Sequence, residues 1–153
     1  MLSKTEALHQ LNFEQIKEII PQRFPFLMLD RIVEIEAGQR VVGLKNLTGN
    51  EWFYQGHFPK KAVTPGAMLC EAAAQTSIVF FHATRPLRDV TYLLGSVKMR
   101  FMEPVWPGDQ IRIEITPVKL TLNAAILNAE IRVEDRIVAK GELALTAKAN
   151  QEL

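Results

Sequence analysis

The sequence predicts an α+β fold in which an antiparallel β-sheet curls around one long helix. Two observations carry that prediction. From Thr64 to about His82 the chain is apolar nearly all round, with four alanines beside Met68, Leu69, Ile78, Val79, Phe80 and Phe81. Such a helix has no polar face to show to water, so it belongs in a core. After Pro86 the apolar residues recur at every second position in runs broken by turn residues. That period is the mark of antiparallel strands with one buried face. A sheet wrapped on an apolar helix buries both surfaces at once.

The elements follow in order. Phe13 to Ile20 reads as a short helix, with Phe13, Ile16, Ile19 and Ile20 at helical spacing. Pro21 stops it, and Pro25 keeps the chain extended. Phe26 to Glu36 is expected as a strand ending at Ala37-Gly38, with Gln39 to Leu47 as its hairpin partner. Thr48 to Val63 carries Gly49, Asn50, Gly56 and Pro59 and reads as a loop. Thr64 is the expected N-cap of the long helix, with Pro65 in its first turn, and Arg85-Pro86 ends it. Four strands are then expected: Tyr92 to Met102, Gln110 to Val118, Ala125 to Val133 and Arg136 to Ala147. Pro104 to Asp109 and Glu134-Asp135 supply turns. The tail after Ala147 is expected to fray. No linker or repeat interrupts this order, so residues 1–153 read as one domain with an ordered core over about 13–147.

Composition narrows the function. A formal net charge of +1 gives no electrostatic footprint for nucleic acid. Hydrophobic residues at 48% exclude a disordered chain. No apolar run reaches the roughly 18 residues that a membrane span needs. Met1 to Gln10 lacks the apolar centre of a secretory signal. With Cys70 as the only cysteine there is no intrachain disulfide. A cytoplasmic location is the expectation.

The chemistry concentrates between His57 and Glu71. His57 lies in Gly56-His57-Phe58-Pro59, and Glu71 lies inside the apolar run Leu69-Cys70-Glu71-Ala72-Ala73-Ala74. Burying an unpaired carboxylate costs several kcal/mol, by order of magnitude, unless it is put to use. An imidazole and a buried carboxyl together can move protons at neutral pH. Gln75, four residues beyond Glu71, shares its helix face and can orient the carboxyl. The helix start at Thr64-Pro65-Gly66 presents free N–H groups and a positive dipole end, suited to a developing oxyanion. A base, an acid and an oxyanion site suit removal of a proton beside a carbonyl, a thioester being a good candidate, and loss of a leaving group one carbon further on. Cys70 reads as a small buried hydrophobe. A metal site at His57, Cys70 and Glu71 lacks the usual ligand spacing. His9 and His82 read as surface residues, as do Lys60, Lys61, Arg85, Arg88, Lys98 and Arg100.

These segments together resemble the FabZ-type (3R)-hydroxyacyl-acyl-carrier-protein dehydratases. The resemblance runs from about Ile16 to Ala147. It rests on Ile20-Pro21-Gln22-Arg23-Phe24-Pro25-Phe26-Leu27 with Asp30-Arg31, and on Gln55-Gly56-His57-Phe58-Pro59. Pro65-Gly66, Glu71-Ala72-Ala73-Ala74-Gln75 and Pro104-Val105-Trp106-Pro107-Gly108-Asp109 complete it. It implies a hot-dog fold and a homodimer, in some members a trimer of dimers. It also implies active sites at the dimer interface, with His57 of one subunit beside Glu71 of the other. By position His57 and Glu71 are catalytic, Gly66 binds the oxyanion and Gln75 supports Glu71. Phe58, Val63 and Phe101 are the candidate substrate contacts. No cofactor or metal is implied, and the acyl chain would arrive on the phosphopantetheine arm of an acyl carrier protein. The chain departs from the family pattern at Ala62, Thr64, Ala67-Met68 and Val97. Two other readings fit the same residues: a hot-dog acyl thioesterase, and a non-catalytic acyl-carrier-binding subunit of a hetero-oligomer.

Overall fold

The structure, a computed structural model, describes residues 9–153. Six antiparallel strands form one sheet in the order β1-β2-β4-β5-β6-β3. They are β1 (Arg31–Glu36), β2 (Arg40–Asn46), β3 (Val90–Phe101), β4 (Gln110–Leu120), β5 (Ala124–Val133) and β6 (Arg136–Ala149). Among the described residues three α-helices accompany them: α1 (Phe13–Ile19), α2 (Phe53–His57) and α3 (Gly66–Thr84). Helix α3 lies in the curl of the sheet and touches every strand from β2 to β6. This is the sheet wrapped on one helix that the alternating strands and the apolar run predict, and the hot-dog arrangement that the family resemblance implies.

The core forms where the two periodicities meet. Every residue of α3 from Ala72 to Phe81 is buried. Against it stand the inward residues of the sheet, among them Val41, Ile111, Ile113, Ile115, Leu127, Ile131 and Leu143, all essentially without exposure. Ile111 pairs with Val133, Ile113 with Ile131 and Ile115 with Ala129, so the inward rows continue across β4 and β5. Thr76 and Ser77 lie in this greasy helix because each hydroxyl donates back to a carbonyl four residues earlier, at 2.8 Å. Helix and sheet pack tightly at Gly43. A Cβ there would sit 2.7 Å from Thr76 Oγ1 and 3.0 Å from Leu29 Cδ2. Gly43→Ala is therefore expected to cost about 1–3 kcal/mol through overpacking, read as a lower urea midpoint at unchanged slope.

Several boundaries differ from expectation. The first strand starts at Arg31 rather than Phe26. Phe26 and Leu27 turn back instead, their N–H groups donating to Arg23 O at 2.7 and 3.1 Å. The Gln75 amide then takes groups that a strand ladder would use: Met28 N–H donates to Gln75 Oε1 at 2.7 Å, and Gln75 Nε2 donates to Phe26 O at 2.8 Å. The expected loop of residues 48–63 contains α2. Thr64 does not cap α3; Pro65 occupies the N-cap position without a side-chain bond. The carboxyl-terminal strand runs on to Ala149, and Asn150 is pinned rather than frayed. Its N–H donates to Asp89 O at 2.9 Å, and its Oδ1 accepts from Thr91 Oγ1 at 2.7 Å. The Glu134-Asp135 turn falls where expected, with Glu134 at φ 54°. His9 is exposed as expected, whereas His82 is half-buried. Among the described residues no helix is long and apolar enough to cross a membrane.

Candidate active site

His57 ends α2, and the short segment after it returns to the start of α3. His57 Nδ1 lies 2.8 Å from the carbonyl of Val63. A carbonyl can only accept, so Nδ1 must carry the proton, and the lone pair of the neutral ring is on Nε2. The ring also stacks on Phe58, with centroids 4.0 Å apart. Nε2 makes no hydrogen bond among the described residues and is free to act as a base.

The start of α3 supplies donors. Pro65 has no N–H, and Met68 and Leu69 N–H both return to Pro65 O, at 2.9 and 3.3 Å. Gly66 and Ala67 are left as the unpartnered amides of the first turn. Gly66 and His57 line one cavity of about 450 Å³, together with Val63, Leu69, Phe101 and Val105. Four of the candidate residues thus meet there: His57, Gly66, Val63 and Phe101. Val63 contributes its carbonyl to His57 as well as its side chain to the wall, a role that sequence reading did not reach.

Phe101 lies directly on Gly66. A Cβ on Gly66 would fall 2.8 Å from Phe101 Cζ. The ring is about half exposed and can swing away. Gly66→Ala is therefore expected to spare the fold but to push the ring into the cavity. The expected result is a fall in kcat/KM of about tenfold or more, with a melting temperature near that of the parent.

Glu71 and Gln75 are held apart from that cavity, on the side of α3 that meets the Phe26–Met28 segment. Gln75 is fully buried, and its Nε2 donates to Glu71 Oε1 at 2.9 Å as well as to Phe26 O. One amide thus ties the carboxyl to two backbone groups, the Phe26 carbonyl and the Met28 N–H. Burial pushes the Glu71 carboxyl above the usual carboxylate range, opposed by the weaker effect of the Gln75 hydrogen bond. Glu71 Oε2 has no hydrogen-bond partner among the described residues. Burial likewise raises the Cys70 thiol, so its neutral form is favoured and it is a poor nucleophile. Glu71 is not among the residues that line the His57 cavity.

A FabA-like domain matches residues 20–142. The 3-hydroxyacyl-[acyl-carrier-protein] dehydratase FabZ of Thermomicrobium roseum is 45% identical over 130 residues, which cover 84% of this chain and 87% of that protein. The chain belongs to the FabZ-type dehydratase family. The enzyme of the same name from Staphylococcus saprophyticus is 39% identical and covers 90% of this chain and 96% of its own length. Among solved structures, the dehydratase heterocomplex ApeI:P from Xenorhabdus doucetiae superposes with a TM-score of 0.74 at 15% identity, over 90% of this chain and 93% of that one. PaaI of E. coli gives a TM-score of 0.59 at 14% identity, over 75% and 80%. Both share the fold.

A wider groove of about 800 Å³ runs over the outer face of the sheet, away from His57 and Glu71. Its walls carry Lys98, Arg100, Glu114, Glu130, Lys140 and Glu142. Lys98 pairs with Glu142 and Glu130 with Lys140 across neighbouring strands. Such facing opposite charges stabilise a solvated sheet face.

Proposed function

We propose that the chain removes water from (3R)-3-hydroxyacyl thioesters carried on acyl carrier protein, giving trans-2-enoyl thioesters in fatty-acid or related polyketide or polyene synthesis. It is a hydro-lyase. One observation carries the mechanism: a single cavity joins the open Nε2 of His57 to the unpartnered N–H of Gly66. A thioester whose carbonyl oxygen rests on Gly66 N–H presents its C2 hydrogen to a base in that cavity.

His57 Nε2 takes the C2 proton, and the electron pair of the C2–H bond forms the C2=C3 double bond. Gly66 N–H stabilises negative charge on the thioester oxygen; one such donor supplies about 3–4 kcal/mol. Glu71 gives its proton to the 3-hydroxyl as the C3–O bond breaks, and water leaves. Burial raises its pKa, which favours the protonated form that this step needs. Transfer of the proton from His57 back to Glu71 resets the site. Gln75 positions Glu71, while Phe58, Val63 and Phe101 contact the acyl chain. The residues need no metal or cofactor for these transfers.

The absence of Glu71 from the lining of the His57 cavity supports a homodimer in which each site takes His57 from one copy and Glu71 from the other. The free edge of the sheet supports it too. Among the described residues strand β3 pairs only with β6, and Leu93, Leu94 and Val97 on it are each more than 40% exposed. A long apolar edge strand is a template for a second chain. Three such dimers form the larger assembly that the family resemblance implies. We place the protein in the cytoplasm.

Mass spectrometry of 3-hydroxyacyl carrier-protein thioesters incubated with the protein tests the reaction. Loss of one water with the thioester intact is expected. Release of a free thiol would move the assignment to a thioesterase, and an unchanged panel would move it to a non-catalytic subunit.

A further inference from the structure

The machinery above leaves one buried polar contact unused. Tyr54 OH and Thr64 Oγ1 lie 2.9 Å apart, and the two residues are 6% and 4% exposed. Tyr54 stands three residues before His57 on α2, so the two side chains leave the same face of that helix. They grip successive residues of the segment entering α3. Tyr54 holds the Thr64 side chain, and His57 holds the Val63 carbonyl at 2.8 Å. Thr64 N–H in turn donates to the carbonyl of Val105, which lines the cavity, at 2.9 Å. Thr64 therefore links three walls of the cavity: α2, the start of α3 and the segment before β4.

Helix α2 has little of its own to hold it. It is five residues long, and Trp52 gives its start no side-chain cap. A helix this short takes its orientation from tertiary contacts. The buried Phe53 and Tyr54 rings seat it in the core, and the two bonds to residues 63 and 64 complete the angle at which it offers His57 to the cavity. We infer that Tyr54 and Thr64 are a positioning pair that sets the distance between His57 Nε2 and the Gly66 N–H. This rests on the proposed dehydration. The pair touches no reacting atom; it acts through the placement of the base relative to the oxyanion donor.

The test separates positioning from stability with three variants. Tyr54→Phe or Thr64→Val alone leaves a buried hydroxyl without a partner, so a loss of stability is expected in either case. Tyr54→Phe/Thr64→Val removes both hydroxyls and is expected to return the melting temperature toward that of the parent. Its kcat is nonetheless expected to stay about tenfold low with KM little changed, because misplaced reacting groups cost rate even in a stable fold. Thr64→Ser keeps the hydroxyl and is expected to recover kcat to within about threefold of the parent. A second readout is independent of turnover. The imidazole ¹⁵N shifts of His57 are expected to report an Nδ1–H tautomer in the parent and a mixture in the double variant. Parental kcat in the double variant, or a parental His57 tautomer there, would overturn the inference. If the parent itself does not dehydrate the substrate, the proposed function fails and the tautomer measurement alone decides the positioning.

Discussion

His57→Ala lowers kcat by at least about a hundredfold while the fold persists, because general-base transfer contributes about 10²–10⁴. The ring is only half-buried and makes one hydrogen bond, to Val63 O, so its removal leaves no large void in the core. Steady-state kinetics beside a thermal melt checks this. A large loss of rate with little change in melting temperature is expected. A rate within about tenfold of the parent, from a folded protein, would take His57 out of the mechanism. KM is expected to move little, since the ring acts on the proton in flight rather than on the bound chain.

Glu71→Gln is expected to cost at least as much in rate and to gain stability. The amide keeps an oxygen for the Gln75 Nε2 donor but has no proton to give a leaving hydroxyl. The stability gain follows from the raised carboxyl. The folded protein holds the Glu71 proton more tightly than the unfolded chain, so the native state binds more protons across that window. Stability therefore falls as pH rises from the ordinary glutamate range through the raised value, and stays low above it. A neutral amide has no such cost. At neutral pH the variant is expected to melt above the parent, and the gap is expected to close in acid below the ordinary glutamate range. The same titration predicts that kcat declines as pH rises through the raised Glu71 value, since the acid must be protonated. A variant that is active, or less stable than the parent at neutral pH, would contradict the assignment.

Much of this was legible in the residues, for reasons of period and polarity. Alternation in residues 110–133 gave β4 and β5 nearly to the residue, because each strand has one buried and one solvated face. The all-round apolar run gave α3 as the buried helix. Glu71 stood out as a carboxylate among alanines, and Gln75 followed from helical spacing. What escaped depends on side chains that replace backbone partners. The segment at residues 26–28 looks extended and apolar, yet its ladder is satisfied by Gln75, 47 residues beyond Met28. Helix α2 is too short for any period to reveal, and Gly56 within it disguises it as loop. Thr64 has the right chemistry for an N-cap, but its hydroxyl goes to Tyr54, a partner that only the folded chain brings near. That Glu71 stays out of the His57 cavity is likewise a property of the fold; their nearness in sequence hides it.

The central claim is that one active site takes His57 from one copy and Glu71 from another. Subunit exchange between the His57→Ala and Glu71→Gln proteins tests it most directly, with formation of the 2-enoyl thioester as the readout. Random pairing gives half mixed dimers, each with one intact and one doubly broken site, so activity of about a quarter of the parent is expected from two nearly inactive proteins. If exchange is verified and the mixture is no more active than its parts, His57 and Glu71 do not act across the interface and the account is wrong.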